Sequence, residues 1–372
     1  MMKKSKKLTV ILIALVSYFI LLSGCGGGSS PGGDVSAPSG GGNASGGSDN
    51  ASTPAADSTY IIRIGAPTGG KHSANYTVER FAEEIEAASN GSITAEFYPA
   101  GQLGTVTQMM ESVLDGSLQG VTLPLSYFVT VAPATAIIDM PFLFDADLGE
   151  GEQCFRILNA GTSLDQYIRD KGFVAVVWGR SGMNYYMMRE PVQAMSDFKG
   201  KKIRCHTSDF IQAQISAYGG VPTMVDTGDL ASSLQNGTID GLQTDVIFAA
   251  SQSIYEYSPN YTLVGSACVN TFALSSAWMD TLPLDVQNLI LDTAKAIAVG
   301  DSYNYYISYE DECFSILREN DVNIIEPSAA FVDDLKAASS SIYDKFINYD
   351  ADCARVYDEF TALIKADTDA HK

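Results

Sequence analysis

Apolar positions along most of this chain recur in two periods, one of strands and one of helices. Tyr60 to Ile64 is a short apolar run closed by Gly65. Val78, Phe81, Ala82, Ile85 and Ala88 then recur at helical spacing up to an Asn90-Gly91 stop, and Ile93, Ala95 and Phe97 alternate as a second strand. Two strands joined through one helix predict a parallel pair with a right-handed crossover. A second helix is expected over Val106, Met109, Met110, Val113 and Leu114, stopping at Gly116 and feeding a strand near Gln119 to Leu123. Phe173 to Trp178 reads as another strand that runs into Gly179-Arg180-Ser181-Gly182, where the glycines suit a hinge because they absorb dihedral change cheaply. Beyond Leu282-Pro283 the pattern is mostly helical, and the run Tyr303 to Tyr309 fits the packed face of a long helix.

The densest punctuation lies between Ser196 and Thr244. A charged turn introduces a short β-prone run ending at Arg204; a helical segment, a stop at Gly219-Gly220, a second helix and an Asn236-Gly237 stop follow, and a short strand is expected at Thr238 to Leu242. This predicts a compact βαβαβ unit with one guanidinium near a strand end, where open α/β sheets place ligands.

The start of the chain reads differently. Lysines at positions 3, 4, 6 and 7 precede an apolar run from Leu8 to Leu22, and Leu22-Ser23-Gly24-Cys25 follows, the arrangement of a secretory signal over residues 1–24. The four residues resemble a bacterial lipobox, which implies lipidation of Cys25; a retained membrane anchor is the alternative. Residues 25–58 are rich in Gly, Ser, Asn, Ala and Pro and should form a flexible tether. As a Gly/Ser coil it would span roughly 30 Å.

The 372 residues, 46% of them hydrophobic, suffice for a large core and about two domains. The net charge of -21, or -25 without the four leading lysines, argues against nucleic-acid binding. It also repels anions at long range, so an anion site here must rely on a local cation and aimed donors. After Cys25, the five remaining cysteines allow at most two disulfides and have no metal-ligand spacing; with three scattered histidines no metal site is expected.

Several motifs compete for a chemical reading. Gly65 to Lys71, GAPTGGK, fits the start of a phosphate-binding loop, but His72 occupies the place where Ser or Thr would hold magnesium. A turn lining a ligand cleft is the reading kept. Gly179-Arg180-Ser181-Gly182 misses the Gly-x-Ser-x-Gly elbow by one residue. Cys205 beside His206 points to opposite faces of a strand, so the pair reads as structural. No catalysis and no cofactor are expected. Arg204 is open on composition alone, since many carboxylates could pair with it.

DFKGKKIR, then PTMV, then SLQNGTIDG, together with FYPAGQLG at Phe97 to Gly104, DMPFLF at Asp139 to Phe144 and WMDTLPLDVQNLI at Trp278 to Ile290, form an ordered set. The set resembles the solute-binding proteins of tripartite ATP-independent periplasmic (TRAP) transporters, of the dicarboxylate-binding type. The resemblance implies a two-lobed periplasmic-binding-protein-like α/β fold with a hinge and the ligand in the interlobe cleft. The first lobe would comprise 59–181 and 270–309, and the second 182–269 and 310–372. It implies an extracytoplasmic receptor, lipid-anchored to the outer face of the cytoplasmic membrane or held in the periplasm, that delivers a small organic acid to membrane permease subunits driven by an ion gradient. A ligand-sensing lipoprotein of the same fold, signalling to a membrane receptor, is the alternative.

Within that resemblance Arg204 clamps the ligand carboxylate, a use suited to its planar fork of donors. The position of a second family arginine holds Asn184, a customary asparagine becomes Thr244 beside Gln243, and Thr227 stands where an aromatic is common. One cation instead of two favours a monocarboxylate, although Arg180 could restore a second charge. Ser126 and Tyr127 after a predicted strand, and His72 and Ser73 after the glycine-rich turn, complete the expected contacts.

Overall fold

The computed structural model describes residues 59–372; the signal segment, Cys25 and the tether lie outside the described residues. Strand β1 (Tyr60–Gly65), helix α1 (Ser73–Ala88) and strand β2 (Ile93–Tyr98) form the expected parallel unit, with Tyr60 opposite Ile93. Helix α2 (Val106–Leu114) is held at its start by a reciprocal pair, the Thr105 hydroxyl accepting from the Gln108 N–H and the Gln108 side chain accepting from the Thr105 N–H. It leads into β3 (Gly120–Pro124), which lies parallel to β1. Helices α3 (Glu150–Ala160) and α4 (Ser163–Asp170) then precede the long strand β4 (Phe173–Met188).

The Ser196–Thr244 stretch folds as its punctuation requires: β5 (Lys202–Cys205), α5 (Asp209–Ala217), β6 (Val221–Met224), α6 (Leu230–Gln235) and β7 (Gly241–Thr244), with β5 parallel to both β6 and β7. The last strand starts three residues later than expected. Thr238 is still folding back onto α6 through the Ser233 carbonyl, and Asp240 ties to Lys202 through both its N–H and its carboxylate before pairing begins. Helix α7 (Val246–Ser251), the long strand β8 (Asn260–Ser275), α8 (Ser276–Met279), α9 (Leu284–Val299), α10 (Asp301–Glu319), β9 (Asn323–Ile325), α11 (Ala329–Ile347) and α12 (Ala351–His371) complete the described chain.

These strands join in the order β2-β1-β3-β8-β4-β7-β5-β6, with β9 on β8. The antiparallel pair β4–β8 is the spine. Toward the Phe173 and Ser275 end β8 carries β3, and toward the Met188 and Asn260 end β4 carries β7 while β8 carries β9. Each half of the sheet is covered on both faces. Ile64, Phe81 and Ile290 pack on one face of the first half and Leu123, Phe128 and Ile157 on the other; Leu242, Tyr261 and Leu317 pack on one face of the second half and Tyr186, Ile203 and Phe331 on the other. The C-terminal α12 adds Cys353, Val356 and Phe360 to the Leu123 side. All five described cysteines are buried free thiols.

The Gly179–Gly182 stretch does not follow a finished strand. It lies inside β4, because β8 continues to supply a pairing partner, and the local irregularity takes the form of a register shift between Arg180 and Met183. Gly179 pairs with Asn270, where β3 also ends against β8 at Pro124. At Gly182, with φ of 73°, an added Cβ would fall 2.1 Å from the Tyr306 hydroxyl, so only glycine fits this crossing.

Candidate functional site

Arg204 projects from β5 one residue before the strand ends, at the face of the second half that looks toward the first. Its Nε donates to the Val225 carbonyl at 3.0 Å and its Nη2 donates to the Tyr127 hydroxyl at 3.1 Å, with Thr227 Oγ1 at 3.5 Å. Tyr127 and Thr227 hydroxyls lie 3.2 Å apart. Tyr127 belongs to the 3-10 turn Leu125–Thr130 that follows β3, so this triangle of hydrogen bonds spans from one half of the molecule to the other. Among the described residues no carboxylate comes within ion-pair distance of Arg204. The guanidinium lines a cavity of about 1260 Å³ bounded by Pro67, Val106 and Met110 on one side and by Met224 to Asp229 on the other.

His206 shares that cavity. Its ring sits 4.5 Å from the Tyr127 ring, and burial together with the neighbouring Arg204 charge pulls its pKa down to about 3, so the imidazole is neutral. Nε2 is enclosed and has no hydrogen-bond partner. Sequence reasoning set His206 aside with Cys205 as structural. The available signal was its place directly after a strand that ends at the ligand side of an open sheet.

Other expected contacts divide. Ser126 is committed inward, donating at 2.6 Å to buried Asp139, whose pKa burial raises to about 7. His72 caps α1 by accepting from the Ala74 N–H through Nδ1, is kept neutral by burial with a pKa lowered to about 4, and sets its ring edge against Phe248 of α7. Ser73 Oγ is buried without a partner beside a small void shared with Arg180 and Asn270. Thr244 bonds within its own turn and accepts from Tyr261 through its carbonyl. Gln243 lies opposite Tyr186, on the face of the sheet away from Arg204, and its Nε2 has no partner. Asn184 of β4 pairs with Ser266 of β8.

Arg180 is held elsewhere. Its Nε lies 3.3 Å from Glu152 and its Nη1 3.7 Å from Glu310, and its guanidinium stands 4.8 Å over the Tyr306 ring. It borders a separate cavity of about 450 Å³, formed by Phe142, Glu150, Tyr185 and Lys336 among others. The structure therefore brings Arg204, Tyr127 and Thr227 together, adds His206, and keeps Arg180 apart, within ion-pair distance of Glu152 and Glu310 while its buried Nε and Nη1 make no hydrogen bond.

Residues 66–350 match the bacterial extracellular solute-binding proteins of family 7. The chain belongs to this family. Its similar relatives include the ectoine-binding periplasmic protein of Halomonas elongata, 24% identical over 282 residues that cover 74% of this chain and 82% of that protein. A C4-dicarboxylate-binding periplasmic protein of Vibrio cholerae is 24% identical over 241 residues, 64% of this chain and 72% of the relative. Among solved structures, a TRAP periplasmic solute-binding protein of Desulfovibrio salexigens with bound orotic acid superposes with a TM-score of 0.76 at 21% identity, covering 82% of this chain and all of that one. One from Shewanella oneidensis with bound succinate gives 0.75 at 22% identity, covering 82% and 100%.

Membership makes this chain an extracytoplasmic solute receptor of the TRAP type, in a family of transport proteins rather than enzymes. No helix among the described residues is long and apolar enough to cross a membrane.

Proposed function

We propose that the receptor captures a small organic monocarboxylate at Arg204 and hands it to a TRAP-type permease. The observation that carries this reading is the unmatched Arg204 fork. In a chain with 44 acidic side chains, this one arginine in the cleft has hydrogen bonds only to a carbonyl and hydroxyls. A ligand carboxylate would supply the missing anion. Arg180 borders a different cavity and has Glu152 and Glu310 within ion-pair distance, so it offers a second ligand carboxylate no site like that of Arg204. Orotic acid and succinate in the similar structures have carboxylates in common, one and two respectively.

Capture would proceed by the two halves bending about the β4–β8 crossing, with Tyr127 and Thr227 meeting the bound group from opposite sides. A screen of the purified protein against mono- and dicarboxylic acids, sugar acids, amino acids and neutral sugars tests it. A ligand that binds only the folded protein, at a hundred times its dissociation constant, adds about 2.7 kcal/mol of stability. Stabilisation by monocarboxylates that disappears in Arg204→Ala is expected; a response confined to uncharged solutes removes Arg204 from the role.

The Leu22-Ser23-Gly24-Cys25 pattern supports export followed by lipid anchoring at Cys25. Cys25→Ser should move the protein from the membrane to the soluble fraction, and an unlipidated wild-type Cys25 in mass spectrometry would rule anchoring out.

A further inference from the structure

Two walls of the Arg204 cavity carry apolar side chains that a carboxylate alone does not use. On the first-half side Val106, Met110 and Leu114 of α2 all line it, and their i, i+4, i+8 spacing sets them in one ridge along the helix. Met109 and Val113 are fully enclosed in the core and hold the helix in place, while Leu114 at the end of the ridge is 39% exposed. On the second-half side Met224, the last residue of β6, is 62% exposed, and Val225 beside it gives Arg204 Nε its carbonyl partner. Nine large apolar side chains among the described residues are exposed, and scattered singly they would mean little. Leu114 and Met224, however, line the same cavity, and it is the one that holds Arg204. The Tyr127 and His206 rings, 4.5 Å apart, add aromatic surface to that lining, and the imidazole carries no charge. The acceptor oxygens of Thr105 and Gln108 are taken up in the cap of α2, and Glu111, Asp226 and Asp229 are exposed to water.

We infer that the solute held at Arg204 is an amphiphilic acid, a monocarboxylate whose remaining atoms form a hydrocarbon body seated between the α2 ridge and Met224. This rests on the carboxylate reading above and narrows it. The guanidinium fixes one end by charge and the apolar walls take the rest, the usual division in small-molecule sites between a few orienting polar groups and an apolar lining. Bending the halves together over such a body removes Leu114 and Met224 from water along with the solute's own apolar surface, and both burials add to affinity. A polyhydroxylated acid in the same seat would press its hydroxyls against side chains that offer no strong hydrogen-bond partner. A buried hydroxyl left without a partner costs free energy.

The test is isothermal titration of the purified protein with acids matched in carbon skeleton and charge: hexanoate against gluconate, and cyclohexanecarboxylate against quinate, each pair differing only in hydroxyl groups. In at least one pair the hydrocarbon member should bind about tenfold tighter, a difference of about 1.4 kcal/mol. Leu114→Gln with Met224→Gln, both at exposed positions, should shrink that ratio while binding still requires Arg204. Three outcomes overturn the inference and leave the carboxylate reading intact. The first is hydroxylated members binding as tightly as their hydrocarbon partners in both pairs, with Arg204 still required. The second is a hydrocarbon preference that the double variant leaves unchanged. The third is a double variant that binds as wild type yet no longer supports uptake by cells carrying the permease, which would assign the exposed apolar side chains to permease contact. Binding that is indifferent to Arg204→Ala overturns both readings.

Discussion

Arg180 and Arg204 lie 24 positions apart, and the fold gives them opposite employment. Arg180 emerges at the β4 irregularity into a cage of Glu152, Glu310, Tyr303 and Tyr306, and only 13% of its side chain is exposed. Arg204 emerges at the end of β5 into a large cavity, braced by neutral acceptors and facing no anion. A matched arginine fixes structure, because its charge is already offset by groups that came with it. The carboxylates tell the same story: burial lifts Glu310, with Tyr306 and Arg180 pulling the other way, and burial pushes Glu150 up to about 7 beside the smaller cavity.

The contrast is broken most directly by exchanging losses. Arg204→Ala should cost roughly 2–5 kcal/mol of solute binding, the scale for removing one partner of an interfacial charge pair, with little change in melting temperature. Arg180→Ala should do the reverse, lowering stability by about 1–3 kcal/mol after allowing for partial exposure of the pair, and leaving affinity near wild type. Calorimetric titration and thermal melts on the same two proteins decide it; equal loss of affinity in both would make Arg180 a ligand residue after all.

A pH profile sharpens the comparison. Glu150 has its pKa raised, so its contribution to stability is present below its ordinary value of 4.5 and is lost as pH rises through about 7. Lys336 opposes this shift and Asp145 adds to it, while Arg180, Glu152, Glu310 and Tyr185 also line the cavity it borders. The full effect is at most about 3.4 kcal/mol, so Glu150→Gln should flatten the decline in melting temperature between pH 4.5 and 7. Binding at Arg204 should show no titration over the same range, since His206 stays neutral until about pH 3. A binding curve that breaks near pH 6.5 would contradict the neutral imidazole.

Smaller effects follow at the spine and at the clamp. Gly182→Ala sets a Cβ against the Tyr306 hydroxyl at a positive φ and should destabilise by about 1–3 kcal/mol, read as a lower melting midpoint. Tyr127→Phe removes one acceptor from Arg204 and one partner from Thr227. It should weaken solute binding by about 0.5–1.5 kcal/mol; unchanged affinity would mean the hydroxyl only braces the Arg204 side chain.

Much of the architecture was legible in the residues. The β1-α1-β2 unit, α2 and the β5-α5-β6-α6-β7 unit appear where apolar periodicity and the Gly stops put them, because these signals are local. The family phrases located the arginine. What escaped was non-local. Gly179 to Gly182 looked like a break and proved to be an irregularity within a 16-residue strand, since only β8 could keep that backbone paired. His206 was set aside, because alternation along β5 says which way a residue points and nothing of Tyr127 arriving from the other half to meet it.

The sequence by itself determined the β1-α1-β2 unit, α2, the β5-to-β7 unit, the family and a candidate arginine for a carboxylate, because helix and strand periods, stops and phrases are written in neighbouring residues. Only the tertiary structure decided that Arg204 faces no carboxylate while Arg180 stands beside two. Charge balance depends on partners more than a hundred positions away, as Glu310 is from Arg180, and no local pattern records who meets whom across the β4–β8 spine.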